Sequence, residues 1–266
     1  MLALLLAGVV ASAPAAEPPP LDRFPRAAAS YLVQRDGRVL WERAASAPRP
    51  PASLAKIMTA LVVLEEGWDA EAPVRIGARA AAETGSRLGM KAGETMAAGD
   101  LLTAMLVSSA NDAAVALAEH RAGSVEAFVK RMNTRAKEMM LGQTHFLNPT
   151  GWDAPGQTSS ARDLAAMAEA ALGLPEFARR VAVREATVAT TGGRRFAVRT
   201  SNHLLAHCEG ARGVKTGFTA KAGKCVVALV EREGHRVLLV LLDSEDRWWT
   251  AAALIEAAFD EARPPR

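Results

Sequence analysis

Three short clusters carry the side chains from which a hydrolytic reaction could be built. Ser53 and Lys56, in Ser53-Leu54-Ala55-Lys56, are three apart, so a helix puts both on one face with about 5–6 Å between their Cβ atoms. At that range the amine can take the hydroxyl proton once its pKa is lowered, and the serine becomes a nucleophile. A helix N-terminus and burial both favour the neutral amine. A bare Ser-x-x-Lys is common, and an N-capping serine beside a solvated lysine is its plain alternative. Here Ser109-Ala110-Asn111 and Lys215-Thr216-Gly217 follow in the order and setting of serine enzymes that pass through an acyl-enzyme. His203 and His207 stand four apart, as a metal pair would, but no glutamate completes a zinc-protease pattern and no third ligand is evident. No metal and no cofactor is expected.

Elements must bring these clusters together. Tyr31-Leu32-Val33 and Val39-Leu40-Trp41 read as two strands around a turn at Asp36-Gly37. After Pro51, the stripe Leu54, Ile57, Met58, Leu61 and Leu64 predicts a helix that Gly67 ends. Helical patterns dominate from about Gly99 to Arg180, with polar residues where N-caps are favoured: Asp100 before Leu101–Val107, Asn111 and Asp112 before Ala113–Glu119, Ser124 before Val125–Met140, and Ser160 before Ala161–Leu172. Strands return at Val188–Val198 around Gly192-Gly193, at Val214–Thr219, and at Cys225–Glu231 and Arg236–Leu242, joined at Glu233-Gly234. Trp248–Ala262 closes as a helix. Strands, many helices, strands and a helix predict an α+β fold: an antiparallel sheet of about five strands from both chain ends, flanked by helices, with a helical subdomain inserted over about 75–180.

Composition narrows the function classes. Half of the 266 residues are hydrophobic and 23% are charged, which excludes a disordered chain. The 32 basic against 29 acidic residues leave a net charge of +3 without a charge block, and aromatics make up 5%, so neither nucleic-acid signature is present. The apolar run Leu2–Val10, too short to span a bilayer, leads into Ala13-Pro14-Ala15, a small-x-small cleavage form. Residues 1–16 are therefore expected to be a secretory leader, although no Lys or Arg precedes the run, and 17–27 a proline-rich linker. The chain is therefore expected to be secreted and soluble, with no transmembrane anchor in the mature chain, because no later stretch reaches 18 apolar residues. Cys208 and Cys225 would be free to bond in an oxidising compartment; a buried apolar role for Cys225 is the alternative.

Together the motifs resemble those of the serine-type D-alanyl-D-alanine carboxypeptidases, the low-molecular-mass penicillin-binding proteins. Pro51–Thr59 resembles the nucleophile segment, and Lys91–Glu94 with Leu106–Ala114 resembles the second block. His145–Asn148 with Gly151, Ser160–Leu164, Asn202 with Leu204-Leu205, and Gly213–Thr219 with Ala222-Gly223 continue it, so the likeness runs from about Ala28 to Phe259. The resemblance implies a β-lactamase/transpeptidase-like fold over a single catalytic domain, 28–266. Many members of the family carry a further β-rich domain and an amphipathic anchor.

By resemblance, Ser53 attacks the carbonyl between the last two D-alanines of a peptidoglycan stem peptide, and Lys56 is the base, held by Asn111. Ser109 relays a proton to the leaving amine, tuned by Lys215. Lys215 and Thr216 receive the terminal carboxylate, Gly217 belongs to the same substrate-binding set, and Arg247 lies near that site unless it forms a surface ion pair with Glu245 or Asp246. The backbone N–H groups of Ser53 and Phe218 form the oxyanion hole. His145 and Asn148 are assigned to packing and loop fixation.

The alternatives share these residues. A D,D-endopeptidase would cut cross-links with the same machinery. A class A β-lactamase would need a glutamate for its deacylating water and usually Ser-Asp-Asn, whereas Ala110 stands in the second block and Thr144–Thr150 contains no acid. β-Lactam antibiotics are thus expected to acylate Ser53 and remain. A non-catalytic muropeptide-binding protein would not need all of the catalytic residues.

Overall fold

The computed structural model describes residues 22–65 and 67–261. The leader, 1–16, and residues 17–21 of the linker lie outside the described residues. Strands β1 (Ser30–Arg35) and β2 (Arg38–Arg43) form a hairpin because Asp36 and Gly37 both take positive φ, 50° and 82°, the turn whose twist matches that of its strands. A 3-10 turn, Ala52–Ala55, then leads into helix α1 (Lys56–Leu64). α1 is buried on all sides from Lys56 to Val63. Such a helix belongs in the middle of a core, and this placement carries Lys56 away from water.

A ribbon of β3 (Pro73–Arg75) and β4 (Thr95–Ala97) and the short α2 (Ala78–Ala81) precede α3 (Ala98–Val107), α4 (Asn111–Ala122), α5 (Val125–Glu138), α6 (Ala161–Leu172) and α7 (Pro175–Val181). The hairpin expected around Gly192-Gly193 is β5 (Glu185–Ala189) with β6 (Arg195–Arg199), a ribbon separate from the main sheet. After α8 (Leu204–His207) come β7 (Ala211–Thr219), β8 (Gly223–Arg232) and β9 (His235–Leu242), then α9 (Arg247–Asp260). The main sheet is antiparallel, in the order β2-β1-β9-β8-β7, so both chain ends build it as expected and β7 lies at an edge.

Its two faces bury different partners. Leu32, Cys225, Val227, Leu238 and Val240 pack toward α1 and the other helices, while Tyr31, Val33, Val226, Leu239 and Leu241 pack with Leu254, Ile255 and Ala258 of α9. Each large side chain buried this way contributes roughly 1.5–3 kcal/mol. Among the described residues no helix is long and apolar enough to cross a membrane. Cys208 and Cys225 are free thiols.

Ser124 and Ser160 cap as expected, accepting from the Ala127 and Asp163 amides. Asp100, Asn111 and Asp112 do not. α3 begins at Ala98, and the Asp100 carboxylate instead takes the Ala189 amide at 2.9 Å. α4 begins at Asn111, whose side chain turns to Lys56, while Asp112 receives the Leu88, Gly89 and Met90 amides. The Asp100 and Asn111 side chains serve distant segments, and Asp112 serves the distant Leu88–Met90 segment as well as the adjacent Ala113 amide.

Candidate active site

Ser53 sits inside the 3-10 turn rather than at an N-cap, and its hydroxyl meets Lys56 Nζ at 3.0 Å. Lys56 Nζ also donates to Asn111 Oδ1 and to the Thr150 carbonyl, both at 2.7 Å. This side chain is fully buried. Burial, reinforced by the positive charge of Lys215, holds its pKa well below the ordinary lysine range, against a weaker opposing pull from Glu83 and Asp112. A neutral amine has two N–H donors and one lone pair. Two oxygens fill the donor directions, so the lone pair is left for the Ser53 proton.

Each partner of Lys56 is itself held. Asn111 Nδ2 donates to the Thr84 carbonyl at 2.7 Å, which fixes the amide's orientation with its oxygen toward the amine. The loop bearing Thr150 is knotted by Asn148, whose Oδ1 accepts from the Thr150, Gly151 and Trp152 amides. Thr59 ties the same loop to α1 through the Pro149 carbonyl at 2.7 Å. Asn148 is thus the loop-fixing residue expected, and His145 pairs with Thr158 through its backbone. Thr150 was not expected at the site. It acts through a carbonyl, which every residue type carries, so no side-chain pattern marks it.

β7 forms the opposite wall. A Cβ on Gly217 would lie 3.2 Å from the Ser53 nitrogen and 3.0 Å from Ala52 Cβ, so this strand passes close to the 3-10 turn only because residue 217 has no side chain. Phe218 follows, 64% exposed, and Trp152, in the Thr150 loop, stands 53% exposed beside Gly85. Asp153 spans the two walls, accepting from Thr219 Oγ1 at 2.7 Å. Lys215 is buried, donates to the Thr216 carbonyl, and has its pKa lowered to about 7 by burial and by Arg247. Ser109 lies in the break between α3 and α4 with φ 63° and is buried. No hydrogen bond joins its hydroxyl to Ser53, Lys56 or Lys215, although protein donors and acceptors of this kind often close up only around substrate.

Arg247 is half-buried at the start of α9. Its Nη1 donates to the Gly217 and Cys225 carbonyls at 2.7 and 3.1 Å, and its guanidinium stacks over Trp248. It forms no ion pair with Glu245 or Asp246; Asp246 caps α9 instead. His203 stacks on Trp248, with 4.8 Å between ring centroids.

D-alanyl-D-alanine carboxypeptidase DacF of Bacillus subtilis is 33% identical over 88% of this chain, which spans 62% of that protein's length. The D-alanyl-D-alanine endopeptidase of Pseudomonas aeruginosa is 34% identical over 92% of this chain and 81% of its own. The crystal structure of the Streptomyces K15 DD-transpeptidase superposes with a TM-score of 0.82 at 30% identity, covering 88% of this chain and 97% of that one. The sequence profile of the D-alanyl-D-alanine carboxypeptidase family matches residues 16–246, and the chain belongs to that family.

Proposed function

We propose that this chain is a serine D,D-carboxypeptidase that removes the terminal D-alanine from peptidoglycan stem pentapeptides. The observation that carries the reading is the buried Lys56 amine with two oxygens on its donor directions and Ser53 on the third. Ser53 Oγ attacks the carbonyl carbon of the penultimate D-alanine as its proton passes to Lys56 Nζ. The resulting oxyanion is received by the N–H groups of Ser53 and Phe218, each such donor contributing about 2.7–4 kcal/mol in the transition state. The C–N bond then breaks as Ser109 gives its proton to the departing amine and takes the proton held by Lys56 in its place, so D-alanine leaves and Lys56 is neutral again. Water attacks the ester, its proton goes to Lys56, and Ser53 recovers its own.

Lys215, Thr216 and Gly217 take the terminal carboxylate. Arg247 braces β7 at Gly217 and holds down the Lys215 pKa. Among the described residues no carboxylate is a hydrogen-bond partner of Ser53 or Lys56, which supports a long-lived penicillin adduct over its hydrolysis. The leader expected over 1–16 would deliver residues 28–266, one catalytic unit, to the periplasm.

The Pseudomonas relative's name favours a second reading, D,D-endopeptidase. Digestion of stem pentapeptide and cross-linked dimer side by side, followed by mass spectrometry, separates the two. The expected result is loss of one D-alanine from the pentapeptide. Monomer released from dimer, with the pentapeptide intact, would establish the endopeptidase, and neither product would overturn both.

A further inference from the structure

We propose that Ser201 is a positioning residue for carboxylate recognition: its hydroxyl donates to Thr216 Oγ1 and leaves the Thr216 proton for the substrate's terminal carboxylate. The two hydroxyl oxygens are 2.5 Å apart. Each hydroxyl carries one proton and two lone pairs, so the pair can run in either direction. With Thr216 as donor, its proton is spent on Ser201 and only lone pairs face an incoming anion. With Ser201 as donor, the Thr216 proton is free. Binding a carboxylate therefore selects the chain Ser201 O–H to Thr216 O–H to carboxylate, and the anion polarises both bonds.

The segment that presents Ser201 is built rather than loose. The Thr200 amide donates to the Arg184 carbonyl at 2.8 Å, and the Arg184 guanidinium holds the Leu205 carbonyl. Within it, the Asn202 amide donates to Thr200 Oγ1 and the Leu204 amide to Asn202 Oδ1, each at 3.1 Å. Asn202 is buried whereas Ser201 is exposed, so the hydroxyl pair opens to solvent on the Ser201 side. Thr216 itself is buried, and its hydroxyl can accept from Ser201 while donating to a carboxylate. The consequence is a preference for acyl donors that end in a free α-carboxylate.

The role rests on the D,D-peptidase reading, and the experiment separates the two. Initial rates are measured for the full chain and for Ser201→Ala, Ser201→Thr, Thr216→Ala and the Ser201→Ala/Thr216→Ala double variant. The substrates are two peptides ending in D-Ala-D-Ala, one a free acid and the other its C-terminal carboxamide. Ser201→Ala should lower kcat/KM on the acid about tenfold and on the carboxamide by less than about twofold. Ser201→Thr should restore the rate on the acid, and the double variant should be no slower than Thr216→Ala. Equal losses on both peptides, or losses that multiply in the double variant, would overturn the role of Ser201. A wild-type chain that cleaves neither peptide would overturn the D,D-peptidase reading itself.

Discussion

Replacing Lys56 with methionine is expected to slow acylation of Ser53 about 10²- to 10⁴-fold, the range a positioned general base supplies. The amine is the group placed to accept the Ser53 proton, and the other acceptors around it, Asn111 Oδ1 and the Thr150 carbonyl, are too weakly basic to replace it. Methionine has a similar length and no charge to desolvate, so far-UV circular dichroism should show the fold retained. The pH profile of the wild-type rate carries the same information. A base must be neutral to act, so acylation falls on the acid side as pH drops through the lowered Lys56 pKa. The charge of Lys215 contributes to that lowering, so Lys215→Met should raise the Lys56 pKa and move the acid limb to higher pH. Lys215 itself loses its charge above about 7, which should raise KM for carboxylate-bearing substrates on the alkaline side. Rapid-mixing measurement of acylation by a chromogenic penicillin across pH checks all three. An unchanged rate in Lys56→Met, or an acid limb indifferent to residue 215, would contradict the assignment.

Gly151→Ala is expected to cost about 3 kcal/mol or more in stability and at least about 10²-fold in acylation. The residue has φ 83°, which an alanine side chain resists. A Cβ there would lie 1.8 Å from the Ala52 carbonyl oxygen and 2.9 Å from the Ser53 nitrogen. Both atoms are backbone, so relief requires the nucleophile's own turn or the Thr150 loop to shift. Either movement separates Ser53 from Lys56 or Lys56 from Thr150, and a misplacement of about 1 Å is enough for the rate loss. Gly142→Ala is the matched control, because a Cβ at Gly142 meets nothing within 4 Å. Urea denaturation and the penicillin acylation rate should separate the two variants, and similar behaviour would contradict the close packing inferred at Gly151.

The sequence carried the sheet and the side chains better than the contacts between them. Hairpin turns at Asp36-Gly37 and Glu233-Gly234 were legible because two consecutive positive φ values have few residue solutions. Ser53, Lys56, Asn111 and Lys215 were legible because ordered motifs marked them, and the structure brings the first three into direct contact. The N-caps expected at Asp100, Asn111 and Asp112 failed for a common reason. A polar residue before an apolar run can cap its own helix or serve a distant backbone, and local spacing cannot weigh a partner that is far along the chain. Thr150 and Thr84 were invisible because their carbonyls carry no residue signature, and Ser201 because its partner, Thr216, is 15 residues away. For Arg247, the neighbouring acids suggested an ion pair, but its bonds go to two carbonyls across β7 and β8. The burial of Lys56 depends on packing around all sides of α1, which only the assembled fold determines.

The central claim is that Ser53 becomes a covalent acyl-enzyme, and intact-mass spectrometry after incubation with penicillin tests it most directly. The account predicts a single adduct with the mass of the opened β-lactam, mapped by peptide digestion to the segment containing Ser53 and absent from Ser53→Ala. A wild-type chain with no adduct, or a Ser53→Ala chain that still carries one, would contradict it.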